Sequence, residues 1–185
     1  MTVRVEPADA LSATLVDTLR QVNEWLRFAE GKNAGIVGFA SAGTLALATI
    51  IPGRTDDGPW TRAALAGSAL FIALSLVAGL ASFLPRTGLT RLLGEPTQPM
   101  RETDNLLFYG HLARYAPAEL AAAVARRYCG GTSRDIGPLH VDLGAQIVAN
   151  ARITVGKLRL FTGSVICFTI AVSLLMATVV ATAFA

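Results

Sequence analysis

Residues 160–185 read L-F-T-G-S-V-I-C-F-T-I-A-V-S-L-L-M-A-T-V-V-A-T-A-F-A, a stretch without one Asp, Glu, Lys or Arg. Two more stretches share that property, Asn33–Gly53 and Ala63–Pro85. About 20 predominantly apolar residues in helical conformation cross the hydrocarbon core of a bilayer, and each stretch is long enough to do so. A water-soluble chain of 185 residues has too little remaining surface to bury three such helices. The composition agrees, at 52% hydrophobic and 16% charged, where a soluble domain carries roughly 25% charged residues. A disordered polymer and a highly charged nucleic-acid-binding domain both fit poorly. The sequence reads as an all-α integral membrane protein, with three transmembrane helices and a cytoplasmic helical module.

The charges between the spans give the expected organisation. Residues 1–32 form a cytoplasmic amphipathic helix, 33–53 the first span, 54–62 a short extracytoplasmic turn and 63–85 the second span. Residues 86–159 form a cytoplasmic helical module, and 160–185 the third span. Positive residues near span ends set orientation. Arg20, Arg27 and Lys32 precede the first span, Arg86 and Arg91 follow the second, and Arg152, Lys157 and Arg159 precede the third. Arg54 and Arg62 in the turn are balanced by Asp56 and Asp57. Cys129 and Cys167 are the two cysteines, one in the module and one in a span, so a disulfide framework is not expected.

Outside the spans the rhythm is helical. Leu11, Leu15, Leu19, Val22, Leu26 and Ala29 recur every three or four residues, with Asp9 or Ser12 as alternative caps. The mixed charge on the opposite side favours packing on protein over adsorption to lipid. Pro117 followed by Glu119 opens another helix, whose apolar face is Leu120, Val124 and Tyr128. Pro138 opens the longest run: Leu139, Leu143, Ile147, Ala151, Thr154, Leu158 and Phe161 share a face. No proline follows, so two readings stand: a helix running directly into the third span, about 70 Å long at ~1.5 Å per residue, or one bent near Gly144, Gly156 or Gly163. Within the spans, Ala34/Gly38/Ala42 and Ser75/Gly79 form small-residue registers suited to close helix packing, within one chain or between copies.

Catalytic motifs are scarce. His111 and His140 are the two histidines, and neither lies in an HExxH motif or a close Cys/His array. Each is read as a packing or surface residue, and no enzyme activity or metal is expected. Polar groups at the cytoplasmic membrane boundary are the better lead. Trp25 fits an interfacial anchor, a core residue or a pocket wall. Asn105 precedes the aromatic pair Phe108-Tyr109, and Asn150, Arg152 and Lys157 lie on the helix entering the last span. Such groups suit base-edge hydrogen bonding, stacking and phosphate neutralisation, and equally suit helix cross-linking and topology.

Three segments carry a resemblance: N-E-W-L-R-F-A-E-G-K-N at 23–33, D-N-L-L-F-Y-G-H-L at 104–112, and Q-I-V-A-N-A-R-I-T-V-G-K-L-R-L-F at 146–161. In this order, with two spans followed by one, the chain resembles the transmembrane effector family of Pycsar anti-phage defence over residues 12 to 183. Glu30 departs from a common aspartate before the lysine. The resemblance implies a bacterial inner-membrane effector activated by cyclic CMP or cyclic UMP, made by a partner pyrimidine nucleotide cyclase. It implies impairment of the lipid bilayer by a homo-oligomer, arresting the infected cell, without DNA or RNA as partner. Trp25, Asn105, Asn150, Arg152 and Lys157 become tentative nucleotide-binding or coupling residues. A membrane-anchored scaffold without nucleotide sensing remains the alternative, with a small transporter component a more distant one.

The charge flanks make the topology testable. Cysteines introduced near residues 20 and 120 are expected to label from the cytoplasmic side, and those within Thr55–Pro59 or at Ala185 from the other. Labelling of positions 20 and 120 from opposite sides would refute this orientation.

Overall fold

The computed structural model describes residues 6–51, 58–84 and 99–183, and every regular element among them is helical. The elements are α1 (Pro7–Ile50), α2 (Pro59–Ala81), α3 (Tyr109–Leu112), α4 (Pro117–Tyr128), a 3-10 turn (Ser133–Asp135) and α5 (Pro138–Ala183). Helices α1, α2 and α5 are each long and apolar enough to cross a membrane. The protein is thus an all-α membrane protein with three spans. Residues 54–57 of the expected turn, and Arg86, Arg91 and the rest of the expected connector up to residue 98, lie outside the described residues.

Contacts divide the chain into two units: residues 1–28 with 85–156, and residues 29–84 with 157–185. In the first, Leu11, Leu15 and Val22 of α1 are buried with Leu106, Leu112, Leu120, Val124 and Ile147. The early stripe of α1 therefore packs on protein. Helix α1 starts at Pro7, so Asp9 sits in its first turn and Ser12 inside the helix rather than at a cap. Ser12 instead meets His140, whose Nε2 is 2.8 Å from its Oγ. The Gly137 N–H donates to His140 Nδ1 at 2.9 Å, which leaves the Nε2–H to donate to Ser12. Both ring nitrogens are used, and buried His140 is a packing residue.

Two expected faces are shorter than the sequence pattern. Leu120, Ala121, Val124 and Ala125 are the buried positions of α4, whereas Tyr128 is 47% exposed. The helix has reached its end there: Gly130 takes φ +61°, and the Gly131 N–H returns to the Ala125 carbonyl at 3.1 Å, a left-handed termination that glycine adopts without a Cβ penalty. In α5, Leu139 is exposed and the buried line begins one turn later, at Leu143 and Ile147. At the start of α4, the Ala116 N–H donates to Glu119 Oε2 at 3.2 Å, satisfying an amide that the helix leaves without a carbonyl. Thr132 and Asp135 cap the 3-10 turn, and the hydrogen bonds from Thr132 hold the Asp135 carboxyl below the usual carboxylate range.

The second unit is the three-helix membrane segment. Leu47, Leu65, Ile72 and Ala171 form its centre. Ser75 and Ser164 meet with hydroxyl oxygens 2.9 Å apart, and Ser164 Oγ also lies 2.7 Å from the Ser75 carbonyl oxygen. Gly79 lets α1 approach α2, since a Cβ there would lie 2.7 Å from Val37 Cγ2 of α1. The Ser75/Gly79 register is therefore a packing surface within the chain. The Ala34/Gly38/Ala42 register is not: all three are exposed, and a Cβ on Gly38 would meet nothing within 4 Å. The inward side of α1 is instead Asn33, Ile36, Ala40 and Leu47.

Gly144 supplies a direct test of the first unit's packing. A Cβ there would lie 2.6 Å from the Pro117 carbonyl oxygen, a backbone atom that α4 must move to accommodate. Gly144→Ala is expected to destabilise the purified protein by about 1–3 kcal/mol and lower its Tm, while Gly38→Ala causes no loss. Equal Tm values for Gly144→Ala and wild type would contradict this packing.

Candidate ligand-binding site

Asp104 organises the chain ahead of α4. Its carboxylate is buried, accepts the Arg101 N–H at 3.0 Å and pairs with Arg114 Nη1 at 3.1 Å. Arg127 reaches back from the end of α4 and donates to the carbonyls of Asp104 and Glu102. The Tyr115 hydroxyl donates to the Arg101 carbonyl at 3.4 Å. Burial pushes the Tyr115 phenol up, and the Asp104 charge adds to this, so it remains a neutral donor. Backbone groups that no helix satisfies are thus taken up by arginine and tyrosine side chains.

The five residues singled out in the sequence occupy different settings. Trp25, half-buried on α1, packs its ring 5.3 Å from that of Tyr109 and 6.0 Å from that of Phe28. Tyr109 continues to Phe108 at 4.5 Å, and Phe108 to His111 at 5.2 Å. The exposed Asn105 stands at the end of this aromatic row: its N–H donates to His111 Nδ1 at 2.8 Å, and its Oδ1 accepts from the Leu107 N–H at 2.9 Å. Because that nitrogen accepts from Asn105, its 3.8 Å separation from Asp104 is proximity rather than an ion pair.

Asn150 and Arg152 cross-link helices. Asn150 Nδ2 donates to Asn23 Oδ1 at 2.7 Å, joining α5 to α1. Arg152 donates from Nε to the Ala113 carbonyl at 2.9 Å and from Nη2 to the Tyr115 carbonyl at 3.3 Å, closing the chain end that follows α3. Lys157 belongs to the membrane unit, where its Nζ lies 2.7 Å from Glu30 Oε1 and 5.9 Å from the centre of the Phe83 ring. The Glu30 departure thus retains a carboxylate that meets a lysine. The structure links Trp25 to Asn105 through the aromatic row and sets Asn150 and Arg152 to tie α5 to neighbouring segments.

A separate cavity of about 430 Å³ opens in the first unit, lined by Met100, Arg101, Glu102, Tyr115 and the α4 residues Ala123, Arg126 and Arg127. Arg127 is braced by its two carbonyls, whereas the Arg101 and Arg126 side chains make no hydrogen bond or ion pair among the described residues. None of these lining residues was singled out as a site in the sequence. The available signal was the Arg126-Arg127 doublet closing a short amphipathic helix, but basic residues at a helix C-terminus are also favoured by the helix dipole. Among the described residues, no group of three His, Cys, Asp or Glu is placed to hold a metal ion.

Comparison with known families adds one match: the Pycsar effector protein domain matches residues 14–185. That match covers the described parts of both units apart from the first residues of α1. Neither a curated protein nor a solved structure matches the chain.

The geometry ranks the cations by structural weight. Arg152→Ala leaves two chain-end carbonyls without their charged donor and is expected to cost about 1.5–3 kcal/mol. Lys157→Ala breaks a pair whose carboxylate is 47% exposed and is expected to cost about 0–1 kcal/mol. Chemical unfolding in one detergent compares them; a Lys157→Ala loss as large as that of Arg152→Ala would overturn the ranking.

Proposed function

We propose, from this chain's membership of the Pycsar effector family, that it is the membrane effector arm of an anti-phage system, switched on by cyclic CMP or cyclic UMP. The observation that carries the reading is the family match across residues 14–185, a range that takes in all three charge-free stretches and most of the helical unit. A cyclase makes the signal on infection. The unit formed by residues 1–28 and 85–156 faces the cytoplasm and receives it, and the inner membrane is then impaired. The action needs no catalysis by this chain.

Helix continuity gives the signal a route. Helix α5 is one helix from Pro138 to Ala183, so Asn150 and Arg152 share an element with Leu160 and the residues beyond it. A ligand shifts an equilibrium only by its differential affinity for the two states, so the nucleotide must favour an arrangement of the first unit that differs from the resting one. Most exposed residues of the spans are apolar, Phe39, Leu45, Leu70, Val77 and Val180 among them, which speaks against conduction through one subunit. Impairment then arises from several copies, and the Ala34/Gly38/Ala42 face, exposed among the described residues, is open to lipid or to a second copy.

Dye-loaded liposomes of bacterial lipid carrying the purified protein test this reading. The wild type is expected to release dye on addition of cyclic CMP or cyclic UMP and to hold it with cyclic AMP. Gly38→Leu is expected to bind the nucleotide normally and release several-fold less dye. A wild type that binds no cyclic pyrimidine nucleotide and leaves liposomes intact would reject the effector reading in favour of a membrane-anchored scaffold.

A further inference from the structure

The cavity beside α4 shares Arg101, Tyr115 and Arg127 with the network around Asp104, and its chemistry is one-sided. Three arginines, Arg101, Arg126 and Arg127, line it, with Glu102 the one acidic residue in the lining. All three arginines are exposed, so the cavity is open to solvent and its rim gathers like charges that repel. An anion entering the cavity relieves that repulsion. Its volume, about 430 Å³, falls within the range of about 300–1,000 Å³ typical of small-molecule sites.

We propose that this cavity is the nucleotide site of the effector, with the cyclic phosphate held by Arg101 and Arg126 beside the braced Arg127, and the pyrimidine ring against Met100 and Tyr115. The assignment rests on the function proposed above. The division of labour follows from the geometry. Arg127 is held by the carbonyls of Glu102 and Asp104, so it supplies a fixed positive charge. The Arg101 and Arg126 guanidiniums, without partners among the described residues, retain the planar forks that match phosphate oxygens. Met100, Ala123 and the Tyr115 ring give the same cavity an apolar side for a heterocycle. Trp25, Asn105, Asn150 and Arg152 differ in this respect, because their ring contacts or hydrogen bonds are made to the protein itself.

The site is also wired to α5. The Tyr115 hydroxyl donates to the carbonyl of Arg101, while the Tyr115 carbonyl accepts from Arg152 of α5. A ligand drawing Arg101 toward its phosphate therefore acts on a residue that α5 holds from the other side. Arg152 is here a coupling residue and makes no phosphate contact.

Equilibrium binding to full-length protein in detergent decides the matter, with cyclic CMP and cyclic UMP as probes and cytidine and uridine as phosphate-free comparisons. Arg101→Ala and Arg126→Gln are each expected to weaken the preferred cyclic nucleotide by about 10- to 100-fold. Arg126→Glu is expected to remove binding, and the nucleosides to bind at least about tenfold more weakly than their cyclic phosphates. Arg134→Glu makes the same charge change at an exposed position outside the cavity and is expected to stay within about twofold of wild type. Arg101 and Arg126 are both exposed, so the variants should keep the wild-type Tm. If wild type binds and Arg101→Ala and Arg126→Glu bind equally well, the cavity assignment falls while the effector reading stands. If wild type binds neither cyclic pyrimidine nucleotide, both fall.

Discussion

Hydrocarbon offers no partner to an amide or a hydroxyl, and the membrane unit follows from that constraint. Helices close their own backbone hydrogen bonds, which is why they can span it. Polar side chains in the spans obey the same demand. Thr44 donates to the Ala40 carbonyl, Ser68 to that of Ala64, Thr169 to that of Val165 and Thr178 to that of Leu174, each one turn back. Such hydroxyls are hidden within their own helix and add little to the contact between helices. Ser75 and Ser164 instead meet across two helices. Asn33 does something similar near the boundary, with Nδ2 shared between the Ala29 and Lys157 carbonyls and Oδ1 buried without a partner among the described residues.

Where water is available the opposite solution is used. The chain between Met100 and Ala116 contains little regular structure, and its backbone groups are satisfied by charged side chains drawn from elsewhere: Arg127 from α4, Arg152 from α5 and the Asp104 carboxylate from within. An unpaired buried carbonyl costs as much as a lost hydrogen bond. These arginines therefore build the interior as well as contributing to the positive charge that topology reads. Arg126 and Arg101 stand out against that background, because among the described residues their guanidiniums meet no such carbonyl.

The spans were legible because the absence of charge along a whole membrane-crossing stretch is a one-dimensional signal that survives any tertiary arrangement. Helix α1's early stripe and α5's continuity were legible for a related reason: Leu11, Leu15 and Val22, or Ile147 and Ala151, carry the periodicity of one element. Which side of a small-residue helix packs inward is a different kind of question. Ala34, Gly38 and Ala42 are as small as Gly79 is, and only the neighbours Val37 and Ser164 show which of them is pressed. The cavity is harder still, since Arg101, Tyr115 and Arg126 are well separated along the sequence and share a wall only after α4 folds back on the chain before it. A family resemblance carries no information on that juxtaposition.

The energies bear on whether a small ligand can drive a change in such a protein. An interhelical hydrogen bond in a membrane contributes on average about 0.6 kcal/mol and reaches about 1.7 kcal/mol, so the Ser75–Ser164 contact is a weak fastening. A nucleotide that binds one arrangement about 100-fold more tightly than another shifts the balance by about 2.7 kcal/mol. That exceeds one such bond and is comparable to the about 1.5–3 kcal/mol expected for losing the charged donations from Arg152. It is well short of what unpacking Leu11, Leu15, Leu120 and Ile147 would require, at about 1.5–3 kcal/mol for each side chain exposed. A ligand-driven change on this scale must therefore preserve the helical core of the first unit and be expressed as a re-registration of polar ties. The Arg101–Tyr115–Arg152 path is made of such ties from end to end, and hydrophobic packing around it keeps the rest of the unit in place.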